Sequence, residues 1–242
     1  MNFDKTVSIV MPVYRGEHYI AESIKRVVNY MDKLGLNYEI IVVSDGSEDN
    51  TYSEALKASK NYGNKVKVYH YGKNKGKGYA FLYGAIRSRG NIVVLLDADL
   101  DIPPEQVGVL LKAMEKANSD IVITDKWHPR SKVIATRFRR LTSKHFNILV
   151  MTLLGLKLRD TQTGAKAFKK YVIKDLIKDI NIKRYAFDAE LLYLATKKGY
   201  KITPVPSIAP IKLTGRFTPR NIWRMLLELL SIFYRHRLGI KR

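Results

Sequence analysis

The chain has 242 residues, a hydrophobic content of 46%, and 43 Lys and Arg against 22 Asp and Glu, for a formal net charge of +21. That size and apolar content suit one sizeable α/β domain or two small ones and argue against global disorder. The absence of Cys excludes a disulfide framework, thiolate chemistry and a Cys-based zinc site, while the cationic excess favours nucleic acid, anionic lipid surfaces or phosphorylated small molecules over a merely solvated basic surface.

From the N-terminus, which shows no leader-like pattern, the chain alternates two kinds of segment. Short β-branched runs at VSIVMPV (7–13), YEIIVVS (38–44), VKVYHY (66–71) and NIVVLLD (91–97) read as buried parallel strands. Between the first two, Ile20, Ile24, Val27, Val28 and Met31 fall on one face of 17–34 and predict an amphipathic helix. Such alternation predicts right-handed crossovers and a doubly wound, mostly parallel sheet flanked by helices. Ligands of such sheets bind beyond the carboxyl ends of the strands. That edge holds Pro12 to Tyr14, the Asp45-Gly46-Ser47 turn, the glycines after Tyr71, and Asp97, Asp99 and Asp101.

The three aspartates follow an apolar strand at alternate positions. An EF-hand fails because its sixth and twelfth positions would be Ile102 and Gly108. A solvated turn capping the helix that begins at Pro104 is one alternative. The other is a site for Mg²⁺ or Mn²⁺, held by one or two carboxylates and by substrate phosphate oxygens. The stretch YGKNKGKGYAFLYGA (71–85) fits neither the P-loop nor the dinucleotide spacing: Gly78 stands where a P-loop needs a hydroxyl, and Phe81 where the third dinucleotide glycine belongs. It remains a glycine-rich basic turn opening a helix, where an anion can bind.

Further on, a strand at 120–124 completes the expected sheet, and a helix over about 136–156 carries Arg137, Arg139, Arg140 and Lys144 ahead of apolar residues. A second helix spans 187–198, and two strand-like runs surround YKITPVP and IAPIKL. The last helix, from about Pro219, has a polar stripe (Arg224, Glu228, Ser231, Arg235) and an apolar arc (Trp223, Leu226, Leu227, Leu230, Phe233, Tyr234). The arc faces the core, a second subunit or, with the terminal basic cluster, anionic lipid. No run reaches the roughly 18 apolar residues that span a bilayer.

Taken in register over about 7–215, VSIVMPVYRGEHYI, VVSDGSEDNT, NKGKGYAFLYGA, the DAD after its strand, DTQTGAKAF and AFDAELLYLATKKGYKITPVP resemble the family 2 glycosyltransferases of GT-A fold, nearest to dolichyl-phosphate mannose and glucose synthases. The resemblance implies an inverting hexosyltransferase that uses UDP-glucose or GDP-mannose and a dolichyl or polyprenyl phosphate. It works at the cytoplasmic face of a membrane without crossing it, and nucleic acid is no partner. It divides the chain into a GT-A domain (1–218, with a nucleotide-sugar half 1–101 and an acceptor half 102–218) and a C-terminal amphipathic helix (219–242).

Residue by residue, it puts Pro12, Tyr14 and Glu17 beside the base and ribose, Asp45 on the base, and Lys77 in the basic element after the third strand. Asp97 lies at the ribose or metal region, Asp99 binds the cation, and Asp101 is a third ligand. Arg139 and Ser143 hold the acceptor phosphate with Lys126, Asp160 and Gln162 line the sugar and acceptor pocket, and Arg216 or Lys212 folds over the diphosphate. Where the family has an acidic pair before Gly46, this chain has Ser44 first; no QxxRW motif is present, against a processive polysaccharide synthase. DTQTG is similar to the UDP-glucose users. A phosphate acceptor, with its second pKa near about 6, is already ionised and needs no general base. A soluble sugar or protein acceptor remains the alternative, and a nucleic-acid-binding module a remote one.

Overall fold

The computed structural model describes residues 6–134, 136–212 and 219–237. Strands β1 (Val7–Val13), β2 (Tyr38–Asp45), β3 (Val66–Tyr71) and β4 (Ile92–Leu96) pair in parallel in the order β3-β2-β1-β4. Val7 of β1 stands beside Tyr38 of β2 and Ile92 of β4. Helices cover both faces, so the strands are apolar throughout rather than alternating. Ile92, Val94 and Leu96 pack with α1 (Ile20–Leu34) and α4 (Glu105–Lys116); Val93 and Leu95 pack with α3 (Lys77–Arg87), α6 (Lys170–Leu176) and α7 (Phe187–Lys197). The five apolar residues assigned to the α1 face are all buried. The second crossover carries α2 (Thr51–Ser59).

Beyond β4 the sheet departs from the expected order. β5 (Ile121–Asp125) does not join β4; β7 (Ala165–Lys169) lies between them, antiparallel to both, and β8 (Ile202–Pro206) extends the sheet beside β5. The reason the sequence hides β7 is Lys166. Strand alternation puts Ala165 and Ala167 in the α1/α4 core and Phe168 in the other, and Lys166 enters that second core because its ammonium meets Asp188 at 2.9 Å. Of the two late strand-like runs, the first is β8, whereas the second yields β9 (Ile211–Lys212), paired with β6 (Val133–Ile134) in a separate two-stranded sheet.

A third core joins α5 (Arg137–Leu154) to α8 (Pro219–Ile232) through Phe146, Val150, Leu154, Met225, Leu229 and Ile232. The faces of α8 differ from the sequence expectation. Glu228 turns inward and accepts the Ala186 N–H at 2.8 Å, and Arg235 and His236 reach the buried Glu190 at 3.4 and 2.8 Å. Trp223, Leu227, Leu230 and Tyr234 are exposed. The buried positions at 225, 229 and 232 select the inner face, and the capping demand of α7 draws Glu228 with them. No helix among the described residues is long and apolar enough to cross a membrane.

Candidate active site

The carboxyl ends of β1, β2 and β4 open on a cleft of about 670 Å³, bordered across the sheet by the start of α7 and by Met225 of α8. Pro12, Tyr14, Asp45, Lys77, Asp97, Asp99 and Gln162 line it, as the sequence indicates, together with Tyr19, Asn74, Gly76, Arg184, Tyr185 and Asp188.

At its floor, the Lys77 amine lies 2.7 Å from Asp97, each side chain about one-third exposed to the cleft. Burial alone would lower Lys77, but Asp97 and Asp188 outweigh it and hold the amine above its ordinary value. Burial pushes the Asp97 carboxyl up against the pull of Lys77, and the Asp99 charge adds to the rise. Burial raises Asp99; the Asp101 N–H hydrogen bond pulls it back, and the Asp101 charge adds a smaller rise. Tyr19, facing the same acids, is pushed up to about 12 by burial, with Asp99 and Asp97 adding. Asp97 fits here because residue 164 is Gly: a Cβ there would sit 2.2 Å from Asp97 Oδ2. The Gly164 carbonyl accepts the Asp97 N–H at 2.9 Å.

Asp101 departs from the expected set. The strand ends at Leu96, so its alternation no longer governs the acids; Leu100 adopts φ 53, and Asp101 is exposed and outside the cleft lining. No group of three or more candidate metal-ligating side chains forms among the described residues. Asp97 and Asp99 nonetheless suit a hard divalent cation that takes one or two carboxylates and fills its shell with phosphate and water oxygens. Asp99 Oδ1 accepts the Asp101 N–H at 3.2 Å, and no side chain among the described residues is bonded to this carboxylate.

Asp45 lines the cleft, yet its carboxylate is committed to the protein. Oδ1 accepts from the Tyr71 hydroxyl and the Lys75 N–H, both at 2.8 Å, and Oδ2 from Asn74 Nδ2 at 3.0 Å and the Gly76 N–H at 2.9 Å. This carboxylate therefore shapes the glycine-rich turn and aims the N-terminus of α3 into the cleft. Gly46, at φ 62, allows the turn to come this close; a Cβ would lie 2.3 Å from the Asn74 nitrogen. Ser44, standing where an acidic residue was expected, meets His70 Nδ1 at 3.1 Å. Glu17 is outside the lining: its Oε2 accepts the Asn50 N–H at 2.9 Å at the start of α2.

Of the residues expected to meet the acceptor, Lys126 and Asp160 form a buried pair at 2.6 Å. Burial would raise Asp160, but the Lys126 charge and hydrogen bonds from Lys126 and Thr163 hold it below the usual carboxylate range. The Lys126 amine is thus engaged with Asp160 rather than free for an acceptor phosphate, and Asp160 is walled off while its neighbour Gln162 reaches the cleft. Ser143 is half-buried on α5. Arg139 lies on α5 and Lys212 ends β9, but their side chains fall outside the described set, and Arg216 lies outside the described residues.

Several cleft residues escaped the sequence reading. Arg184 clamps the glycine-rich turn through the Asn74 carbonyl at 2.8 Å and its side-chain oxygen at 3.0 Å. Asp188 sat within a recognised motif, but nothing local linked it to Lys166 or to the cleft.

A mostly parallel sheet with one antiparallel insertion, carrying an acidic, lysine-edged cleft at its carboxyl edge, defines a GT-A glycosyltransferase. The profile of "Glycosyl transferase family 2" matches residues 8–177, and the chain belongs to that family. It is 32% identical to a dolichyl-phosphate beta-glucosyltransferase of Drosophila melanogaster over 98% of this chain and 77% of that protein, and 34% identical to the Homo sapiens protein of that name over 98% and 78%. It is also 30% identical to a dolichol-phosphate mannosyltransferase of Pyrococcus furiosus over 95% and 63%. Among solved structures it resembles glucosyl-3-phosphoglycerate synthase from Mycobacterium tuberculosis, in complex with Mn²⁺, UDP and glucosyl-3-phosphoglycerate (TM-score 0.73, 21% identity, 99% of this chain and 82% of that one). Mannosyl-3-phosphoglycerate synthase from Rubrobacter xylanophilus is similar too (TM-score 0.72, 21% identity, 98% and 76%). These likenesses establish the fold; the family makes the chain a hexosyltransferase.

Proposed function

We propose that this enzyme transfers glucose from UDP-glucose to dolichyl or a related polyprenyl phosphate with inversion, and requires Mg²⁺ or Mn²⁺. The observation that carries the reading is the Asp97–Asp99 floor edged by Lys77 and the α3 N-terminus, which suits a diphosphate and its counter-cation. The named relatives favour a lipid-phosphate acceptor, and the two glucosyltransferases favour glucose over the mannose of GDP-mannose.

Asp99, with Asp97, would hold the cation, which supplies charge to stabilise a departing nucleoside diphosphate. Lys77, 2.7 Å from Asp97, is placed to exchange that carboxylate for phosphate oxygens, with the α3 N–H groups adding to the same field. Pro12 and Tyr14 form the wall nearest the base, and Gln162 faces the sugar. The acceptor phosphate is ionised at neutral pH, so no side chain must remove a proton; Asp188 is accordingly paired with Lys166. Arg139 and Ser143 are assigned to that phosphate, and Arg216 to the diphosphate.

Residues 1–218 form the catalytic domain, with the donor bound by 1–101 and the acceptor by 102–218. Residues 219–242 dock on the cytoplasmic face of a membrane. Exposed Trp223, Leu227, Leu230 and Tyr234, and exposed Leu141 and Ile148 on α5, which packs against α8, support that reading, with Arg224, Arg140 and Lys144 supplying charge for anionic lipid.

The test is direct. Purified protein with Mn²⁺, labelled UDP-glucose and polyprenyl phosphate yields a sugar lipid that partitions into organic solvent, and GDP-mannose yields less. Product confined to the aqueous phase would select a soluble acceptor instead, and no product with any common sugar nucleotide would defeat the proposal.

A further inference from the structure

Three segments meet at the Lys126–Asp160 pair: the end of β5, the 160–164 turn and α5. Lys126 donates its own N–H to Asp160 at 3.0 Å and its amine at 2.6 Å. The next residue, Trp127, has the Lys126 and Lys144 amines 5.9 and 5.3 Å from its ring centre, which brings α5 to the same place. The buried side-chain polar atoms without a hydrogen-bond partner among the described residues are Thr124 Oγ1, Trp127 Nε1, Asn147 Nδ2 and Oδ1, and Thr161 Oγ1. Every one lies in these three segments. Thr124 and Trp127 flank Asp125 and Lys126, Thr161 adjoins Asp160, and Asn147 stands one helical turn beyond Ser143 and Lys144.

Buried polar groups are almost always paired, and an orphan costs free energy that a merely structural site would have removed by an apolar substitution. Asn147 is 4% exposed and Thr161 1%. Their concentration where these three segments meet is the pattern of a site whose partner arrives with the ligand. The chemistry of that partner follows from the donors. An indole N–H, an amide NH₂ and a threonine hydroxyl, with the Lys144 amine over the indole, suit a small oxyanion with several acceptor oxygens. Asp160 does not repel it, since Lys126 neutralises that carboxylate, and Asp125 Oδ1 is taken by the Trp127 N–H at 2.8 Å. Thr161 precedes Gln162, which lines the cleft, so one peptide bond links this cluster to the cleft wall. Positions 139, 143 and 147 of α5 repeat at intervals of four, placing Asn147 on the stripe of Arg139 and Ser143.

We propose that Trp127 and Asn147 bind the phosphomonoester of the acceptor, their unpaired N–H groups being satisfied by its oxygens. This rests on the lipid-phosphate reading above, and the two fail separately in the following experiment.

Full-length wild type, Asn147→Leu and Trp127→Phe are assayed with UDP-glucose, Mn²⁺ and polyprenyl phosphate. Thermal unfolding is followed with geranyl phosphate, inorganic phosphate, geraniol, or UDP with Mn²⁺. Each variant is expected to raise the acceptor KM about tenfold, to leave the donor KM unchanged, and to lose the geranyl phosphate shift while keeping the UDP–Mn²⁺ shift. Ligand-free Asn147→Leu should melt at or above the wild-type temperature, because it removes orphaned groups. Wild-type turnover with variants indistinguishable from it overturns the subsite alone. So does an Asn147→Leu protein that melts lower without ligand, which would show the amide satisfied by buried water in the resting fold. A wild-type geranyl phosphate shift abolished in the variants, but with no lipid product, upholds the subsite and defeats the transfer reading. Inorganic phosphate matching geranyl phosphate in every protein upholds the oxyanion site and removes the lipid acceptor from it; neither shift nor product in wild type overturns both.

Discussion

Replacing Lys126 with Met tests how far the fold depends on the buried Lys126–Asp160 pair. The two side chains are 7% and 0% exposed and 2.6 Å apart. Removing one member of a buried pair costs about 3–5 kcal/mol, because the survivor is left charged and desolvated. Asp160 would keep the residue 126 N–H, the Gln162 N–H at 3.1 Å and the Thr163 hydroxyl, which places the loss near the low end, about 3 kcal/mol. For a chain of this size that is a fall in Tm of roughly 6–12 °C. The loss has a pH signature. In wild type Asp160 sits below its ordinary value; a depressed carboxylate stabilises the fold above its unfolded pKa, and that contribution is lost as pH falls through the folded one. Without the amine's charge, burial outweighs the remaining hydrogen bonds and raises Asp160 instead, so the variant loses stability as pH rises above the ordinary carboxylate range. The deficit is therefore largest at neutral pH and shrinks toward about pH 4. Urea titrations at the two pH values measure it, and Lys126→Met/Asp160→Leu should regain more than about 1 kcal/mol over the single variant. A single variant within about 0.5 kcal/mol of wild type at neutral pH, or an equal deficit at both, would refute the reasoning.

Asp99→Asn should abolish transfer and the Mn²⁺-dependent binding of UDP, read by calorimetry. Because Asp99 is raised in the fold, it costs the ligand-free protein stability as pH rises from its unfolded toward its folded pKa; the variant should therefore melt higher than wild type at neutral pH. Gly164→Ala puts a Cβ 2.2 Å from Asp97 Oδ2 and should lower stability by about 1–3 kcal/mol through overpacking, with a fall in kcat larger than that loss of folded protein explains. Intact kcat in a folded Gly164→Ala enzyme would remove Asp97 from the machinery. Glu190 is fully buried and accepts from Asn181 N, Ile182 N and the Arg235 and His236 side chains. Glu190→Gln, which keeps the shape but not the charge, should cost about 2–4 kcal/mol and speed amide exchange through 225–236; unchanged exchange there would show that the Glu190 charge does not hold this segment. Trp223→Ser with Leu227→Ser should reduce flotation with anionic vesicles while leaving UDP binding intact, and undiminished flotation would remove α8 from the membrane contact.

The cleft at the carboxyl ends of β1, β2 and β4 was legible because its signals are local. A β-branched run ending in Asp97, an Asp45-Gly46 turn and a glycine-rich helix start each carry their meaning within a few residues, and the doubly wound rule places them at one edge. Reach was less legible than place. Asp45 arrives at the cleft but spends both oxygens on the turn, and Asp101 leaves it because the chain twists at Leu100. Glu17 serves the start of α2. The buried ion pairs were harder, since their partners are far apart in sequence: Asp160 meets Lys126 and Lys166 meets Asp188 across 34 and 22 positions.

What the sequence alone determined is the parallel half of the sheet, the buried face of α1 and the edge that holds the site, because period and turn chemistry are short-range properties. The tertiary structure decided the antiparallel insertion of β7, the inward turn of Glu228, and which charges remain available to a ligand. A side chain's charge can be read from the chain, but whether a neighbour has already neutralised it depends on packing between segments that no local pattern connects.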